Sequence, residues 1–318
     1  MLTRPTDLTD VAVRAAVEDG WGVDAISLVY RPVGFGSHHW ELRDAAGVRW
    51  FATVDRLGVA PDASRRRLEA AYRCAVHVRN TGCESVIAPV PTMTGALLVA
   101  LEADYAMALF PFVVGQSFAW DDFSTPHHRS EVLDLLVAVH RASHPEGTVV
   151  VDDFVIPHRR LLERSSAPDG PGPYSAAAGS LLAAHRDAIG RALDRYDRLG
   201  SSNDVPQTPW VVTHGEPHPG NTMRTDAGWV LVDWDTALIA PPERDLWWLD
   251  AADDAMPEQY ESATGYRPRR WMLDRYRLGW DLADLGVYAR RFAGPHGDSD
   301  DDRKSWSEMQ RLVNRLSD

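Results

Sequence analysis

Lysine is nearly absent from this sequence. Among 33 lysines and arginines, Lys304 is the single lysine, so a role that ordinarily needs an ammonium elsewhere in the chain must fall to another group. Cysteine is almost as scarce. Cys74 and Cys83 are the only two in 318 residues, which excludes a disulfide framework and a cysteine metal site and suits a reducing cytoplasm. Positive charge is in deficit, with a formal net charge of −13. That argues against nucleic acid or an anionic membrane as the main partner and is compatible with a cationic ligand. Long hydrophobic runs are missing as well. The most apolar stretch, residues 95–115, is broken by Glu102, Asp104 and Pro111, so no membrane span is expected. The N-terminal segment carries Arg4, Asp7, Asp10 and Arg14 without the apolar core of a signal peptide.

What is present reads as a soluble α+β protein long enough for two lobes. Residues 6–19 have the spacing of a short amphipathic helix, with Leu8, Val11, Ala12 and Ala15 on one face and Gly20 beyond its end. The period then shortens to that of strands at 26–30, 40–43 and 49–55. A helix is expected at 62–80, strands at 97–101 and 105–110, and a junction at Phe110-Pro111-Phe112, because proline cannot extend a ladder. Beyond it the chain turns helical: 125–142, then a Pro/Gly/Ser-rich loop at 165–176, a helix at 177–198, and closing helices near 243–250, 256–263, 268–292 and 301–316. This gives a β-rich lobe at 1–110 and a mostly helical lobe at 111–318, and ligands favour the seam between such lobes.

One stretch inside the helical part is different. Residues 211–235 read VVTHGEPHPGNTMRTDAGWVLVDWD: an apolar strand, a polar loop, and two short strands around a turn at 225–228. A turn midpoint near residue 227 sets Asn221 opposite Asp233 at the open end of the hairpin, where cross-strand partners lie about 4.5–5.5 Å apart. An amide oxygen and a carboxylate so placed suit one hard cation, and Glu216 stands in the loop just before them. A base beside a two-ligand metal site is what phosphoryl transfer uses.

These motifs resemble the aminoglycoside phosphotransferase family, whose fold is protein-kinase-like. The loop His214-Gly215-Glu216-Pro217-His218-Pro219-Gly220-Asn221 matches the family's His-Gly-Asp, four residues, Asn. Asp233 follows an apolar strand as the family's metal aspartate does. Asp245, in Pro241-Pro242-Glu243-Arg244-Asp245-Leu246-Trp247, matches the aspartate that braces the catalytic loop, and this stretch looks most like the spectinomycin-phosphotransferase-like branch. The resemblance implies a γ-phosphate transfer from ATP or GTP to a hydroxyl of a small molecule, as in antibiotic resistance. It implies Mg²⁺ on Asn221 and Asp233, residue 216 as base, His214 in a structural role, and Gly34, Phe35, Gly36 and Ser37 covering the phosphates. Phe110 and Phe112 would hold the base ring through the backbone at the junction, and Glu69 would be the helix glutamate.

Two positions depart from the family. Glu216 stands where the family has Asp, which moves the carboxylate by roughly 1.5 Å, enough to matter where misplacements of about 1 Å cost about a hundredfold. Thr53 falls where the third strand carries the phosphate-binding lysine. Arg65, Arg66 or Arg67, or His38 and His39, are the alternatives for that contact. Three further readings are weighed: His214 with His218 as metal ligands of a hydrolase; Asp233-x-Asp235 as an aspartyl-phosphate phosphatase motif, which needs a parallel sheet after it where only helices are expected, so that Asp235 is read as a neighbour of the site or exposed; and a cationic acceptor among Asp250, Asp253, Asp254, Glu258, Asp281 and Asp284. Trp247, Trp248, Trp271 and Trp280 are expected mostly in the core, one or two beside the acceptor. A kinase-like binding protein with little activity, or a metabolic kinase for a sugar, choline-like or amino-alcohol substrate, are the competing functions.

Overall fold

The structure is a computed structural model that describes every residue except 103, 121–122, 146, 148, 165–169, 202–207, 251–254 and 318. Part of the expected loop at 165–176, and Asp253 and Asp254, therefore lie outside the described residues. The chain divides into two compact units. The first comprises residues 1–151 and 209–267, the second 152–208 and 268–318. The junction expected at 110–111 falls inside the first unit, at the end of a strand.

The first unit begins with helix α1 (Asp10–Trp21), capped by Thr9, whose side chain accepts from the Ala12 N–H at 3.2 Å. Gly22 ends it at φ 66°, the left-handed conformation glycine adopts without strain. The helix starts later than its apolar pattern suggests, because the cap is at Thr9. An antiparallel sheet follows, in the order β1 (Ala25–Arg31), β2 (His38–Asp44), β3 (Arg49–Arg56), β5 (Tyr105–Pro111), β4 (Val99–Leu101). Alternate residues Trp40, Leu42, Ala52, Val54, Met107 and Leu109 point into one core with Val13 and Val17 of α1. Helix α2 (Pro61–Asn80) is inserted between β3 and β4, with Pro61 in its first turn.

The rest of the first unit carries helix α3 (Pro126–His140), capped by Thr125, and two small sheets. One has the order β6 (Gln116–Ser117), β8 (Thr222–Thr225), β9 (Gly228–Leu231). The other pairs β7 (Val211–Thr213) with β10 (Leu238–Ala240). Neither β6 nor β10 is expected from the sequence, since each is too short to show a period. Helices α7 (Glu243–Leu246) and α8 (Ala255–Thr264) complete the unit. α7 is shorter than the eight residues its pattern suggests.

The second unit is helical: α4 (Arg159–Glu163), α5 (Ser175–Ala184), α6 (Arg186–Gly200), α9 (Arg270–Ala293) and α10 (Asp300–Ser317). Ile189, Leu193, Leu285, Phe292 and Met309 form its core. The helix expected at 177–198 is two helices, parted where His185 leaves helical dihedrals (φ −109°, ψ 17°). No Gly or Pro marks that break. No helix among the described residues is long and apolar enough to cross a membrane.

Candidate active site

The hairpin β8–β9 forms as expected, with its register shifted by one. Thr222 pairs with Leu231 and Thr225 with Gly228, so the turn is the two residues Asp226 and Ala227. Asn221 therefore faces Val232, whose N–H donates to the Asn221 carbonyl at 3.0 Å, and not Asp233. Asp233 lies one residue further, where the chain leaves the ladder at φ 66°. A non-glycine residue held there is an uncommon conformation that surrounding contacts must enforce. The hairpin is anchored on its other edge by Leu231, which exchanges hydrogen bonds with Ser85 (2.9 Å) and Ile87 (3.0 Å).

Asn221 closes a short 3₁₀ turn, Pro219–Asn221, rather than opening the strand. Its Nδ2 donates to the Glu216 carbonyl at 3.0 Å. With the amide nitrogen engaged, the Oδ1 of Asn221 is the end available to a cation. The donor set is thus an amide oxygen and a carboxylate, both hard ligands, which fits a small divalent cation such as Mg²⁺.

The loop before Asn221 is held from beneath. Asp245 is fully buried and accepts from the backbone N–H groups of His214 (2.8 Å) and Gly215 (2.6 Å). Its Oδ2 also meets His140 Nε2 at 3.0 Å, and His140 Nδ1 meets the Tyr260 hydroxyl at 2.9 Å. Burial pushes the Asp245 carboxyl up, but hydrogen bonding and charge from His140, then Arg244, carry the balance below the usual range. Gly215 has φ 101°, and a Cβ there would lie 2.5 Å from the Arg244 guanidinium.

His214 spends both ring nitrogens on the backbone: Nε2 donates to Val232 O at 2.8 Å, and Nδ1 accepts from Glu216 N at 3.3 Å. That fixes the neutral tautomer, in keeping with burial lowering its pKa. The alternative with His214 and His218 as metal ligands has no free nitrogen on His214. Among the described residues no three His, Cys, Asp or Glu side chains gather as a metal cage. His218 is buried against Trp120 and Trp248, at ring separations of 5.6 and 5.3 Å. Trp247 and Trp248 are half-buried, as are Trp271 and Trp280; the fully buried tryptophans are Trp40 and Trp234.

The carboxylates here are crowded. Glu216 keeps part of its surface open to solvent, yet burial and then repulsion from Asp233 push its pKa up to about 7. Asp233 is open to solvent along one side, and the protein packed around its other sides still raises its pKa. Asp235 is raised by burial and by the charges of Asp233, Asp55 and Glu216. Asp55, on β3, is raised to about 6 by burial, with Asp233 adding to the shift.

On the sheet, Gly34 and Gly36 have φ of 70° and 110° in the β1–β2 loop, and the side chain of Phe35 is exposed. Ser37 is buried and its hydroxyl donates to Asp55 Oδ1. The Met1 amine donates to Val33 O at 3.2 Å and to Ser37 O. Thr53 is buried, with Oγ1 3.3 Å from His39 Nδ1. His39 stacks on Phe51 and burial drops its pKa to about 3, so it carries no charge at neutral pH. His38 meets the Tyr30 hydroxyl at 3.1 Å. Glu69 pairs with Arg65 one helical turn away, and Arg66 and Arg67 are exposed. At the junction, Phe110 packs on Tyr72, and Phe112 lies under the Arg49 guanidinium at 3.5 Å. Of the acidic residues considered for an acceptor, Glu258 pairs with Arg267 in the first unit and Asp281 with Arg315 in the second.

Two participants escape the sequence reading. Asp55 had a signal, lying two residues after Thr53 and so on the same face of β3. His140 had none, since its partner Asp245 is 105 residues away.

The profile of the phosphotransferase enzyme family, APH, matches residues 29–278. Protein StrN of Streptomyces griseus is 29% identical over 262 residues, 76% of each chain. Among solved structures, the spectinomycin phosphotransferase APH(9)-Ia in complex with ADP and spectinomycin has a TM-score of 0.70 at 15% identity, over 98% of both chains. A microcompartment-associated aminopropanol kinase has a TM-score of 0.59 at 16% identity, over 96% of both chains. Those two likenesses are of fold; the profile, spanning most of the sequence, shows that the chain belongs to the APH phosphotransferase enzyme family.

Proposed function

We propose that this protein transfers the γ-phosphate of ATP or GTP to a hydroxyl of a small, amine-bearing acceptor, an aminocyclitol or aminoglycoside-like compound. The observation that supports this most is the convergence at the end of β8 and β9. Asn221 is tied to the backbone of Glu216, and Asp233 follows the residue paired with Asn221. The loop before the hairpin thereby carries the carboxylate base, and the two oxygen ligands stand at the hairpin's open end.

In this reading Asn221 Oδ1 and Asp233 hold Mg²⁺, which neutralises charge on the β- and γ-phosphates when bound. Glu216 accepts the acceptor hydroxyl's proton; a base with a pKa near 7 is matched to that task at neutral pH. Asp245 and His140 fix the loop backbone so that the carboxylate is held in place. The glycines of the β1–β2 loop leave room for backbone N–H groups to approach phosphate. The acidic surroundings favour a cationic acceptor.

The test is incubation with ATP or GTP and Mg²⁺ against a panel of aminocyclitols, aminoglycosides, amino alcohols and sugars, read by mass spectrometry for a phosphorylated product. Asp233→Asn should remove Mg²⁺-dependent nucleotide binding; if binding persists, the metal assignment is wrong. Thr53 in the lysine position favours a second reading, a kinase-like protein that binds its ligand with little turnover. A melting shift with panel compounds alone, without nucleotide or product, would select it.

A further inference from the structure

Asn221 ends a 3₁₀ turn of only three residues, Pro219–Asn221, and a turn so short has little to hold it from within. The Pro219 carbonyl accepts both the Thr222 N–H and the Thr222 hydroxyl, the latter at 2.7 Å. A carbonyl has no hydrogen to give, so the Thr222 proton is committed to it and Thr222 Oγ1 is left as an acceptor. What meets that oxygen is His128 Nε2, on α3, at 2.7 Å. Both residues are buried.

Hydrogen bonding here runs one way. His128 Nε2 carries hydrogen, because Thr222 Oγ1 has only lone pairs to offer it. Burial drops the pKa of His128 to about 4, so at neutral pH the ring has that one N–H. Its Nδ1 then accepts from the Ser124 hydroxyl at 3.2 Å. The relay passes from Ser124 through His128 and Thr222 to the Pro219 carbonyl. The imidazole is enclosed by rings: stacked on Trp229 of β9 at 4.4 Å, with Phe118 at 4.3 Å and the edge of Phe123 at 5.1 Å. Burying a polar ring among aromatic ones is costly unless its nitrogens are bonded, and a phenylalanine would fill the same space without that cost. The hydrogen bond, more than the packing, accounts for a histidine at this position.

We propose that His128 is a positioning residue for the metal ligand Asn221. Through Thr222 it locks the turn that presents the Asn221 amide, and with it the Glu216 carbonyl to which that amide donates. One bond from α3 thereby steadies a metal ligand and the backbone of the base together. The inference rests on the reading of this site as a phosphotransferase centre.

The test uses the full chain, Mn²⁺ in place of Mg²⁺, and a non-hydrolysable ATP analogue with an imido bridge. Affinity for Mn²⁺ in the presence of the analogue is read from the loss of the free-ion electron paramagnetic resonance signal, and folding is verified by circular dichroism. His128→Phe keeps the ring packing and removes the N–H. It should weaken Mn²⁺ binding by about three- to tenfold and lower kcat with the acceptor KM kept. His128→Gln returns an N–H at similar reach and should recover most of the Mn²⁺ affinity. Thr222→Val cuts the same link from the other side. It should match His128→Phe, and the double variant should lose no more than either alone. A long-range ¹⁵N–¹H spectrum of the wild-type histidines, with His128→Phe for assignment, should show His128 protonated on Nε2 before any ligand is added. If His128→Phe does not fold, Thr222→Val and the His128→Gln spectrum still decide. Unchanged Mn²⁺ affinity in a folded His128→Phe or Thr222→Val, additive losses in the double variant, equal losses in His128→Phe and His128→Gln, or a ring protonated on Nδ1 would overturn the positioning role alone. A wild type that binds neither the analogue nor Mn²⁺ would overturn the phosphotransferase reading as well.

Discussion

Glu216 is where the chemistry of a single side chain is most exposed to test. Its pKa is raised from the ordinary value of 4.5 to about 7, first by burial and then by Asp233. A carboxyl raised in this way keeps its proton in the fold over a range where the unfolded chain has lost it. Stability of the metal-free protein therefore falls as pH climbs from about 4.5 to about 7 through this group. Glu216→Gln should flatten that part of the profile and raise the melting temperature at pH 8 in a chelator, read by calorimetry. Turnover should show the opposite slope, rising with pH to a plateau above about 7, and Glu216→Ala should lower it by about 10²–10⁴-fold with nucleotide affinity kept. Asp245 makes a complementary case. An Asn there keeps one acceptor where two backbone N–H groups need one each, so Asp245→Asn should cost about 1–3 kcal/mol in chemical denaturation. It should also lower turnover by freeing the loop.

At the scale of elements, close approach decides more than pattern does. Gly286, in the middle of α9, has no space for a methyl group: its Cβ would lie 2.2 Å from the Pro157 carbonyl oxygen. Gly286→Ala should therefore destabilise the second unit by about 1–3 kcal/mol, against the usual gain of such a change in a helix. A urea titration followed by far-ultraviolet circular dichroism would show it. The same distinction explains what the sequence discloses. Long elements with strong periods, such as β1 to β3, α2, α3 and α9, are legible within a few residues, because each buries one face on its own. The short strands β6 and β10 are not, because two or three residues carry no period and their partners, β8 and β7, are not adjacent in the chain. The hairpin at 222–231 is legible, but its register depends on whether the turn holds two residues or more. A shift of one was enough to move Asp233 off the position opposite Asn221. The left-handed backbone at Asp233 is a tertiary effect that no local preference announces. In the site, Glu216, Asn221 and Asp233 stand within a single stretch of sequence, whereas His140 and Asp55 are brought in by pairing and packing.

For the whole molecule, two compact units with separate cores predict unequal responses to ligand. At nucleotide concentrations about 100 times the dissociation constant, binding adds about 2.7 kcal/mol to the element that binds. Hydrogen exchange with nucleotide and Mg²⁺ should slow most in residues 29–56, 105–113 and 211–246 and least across α5, α6 and α10. Uniform protection of both units would show that they unfold as one. The net charge of −13 adds that association with a cationic acceptor should slow as salt rises, which a stopped-flow titration at two ionic strengths would measure. The lone lysine has a practical corollary. Lys304 sits on the exposed side of α10, in the second unit, and Thr53 occupies the place by the glycine loop. On the proposed function, reagents that find kinases by acylating a lysine beside the phosphates have nothing to react with at Thr53. A survey of a proteome by acyl-nucleotide labelling would pass over this protein even if it were abundant and active, and its detection would need a probe that reads bound metal or phosphorylated product instead.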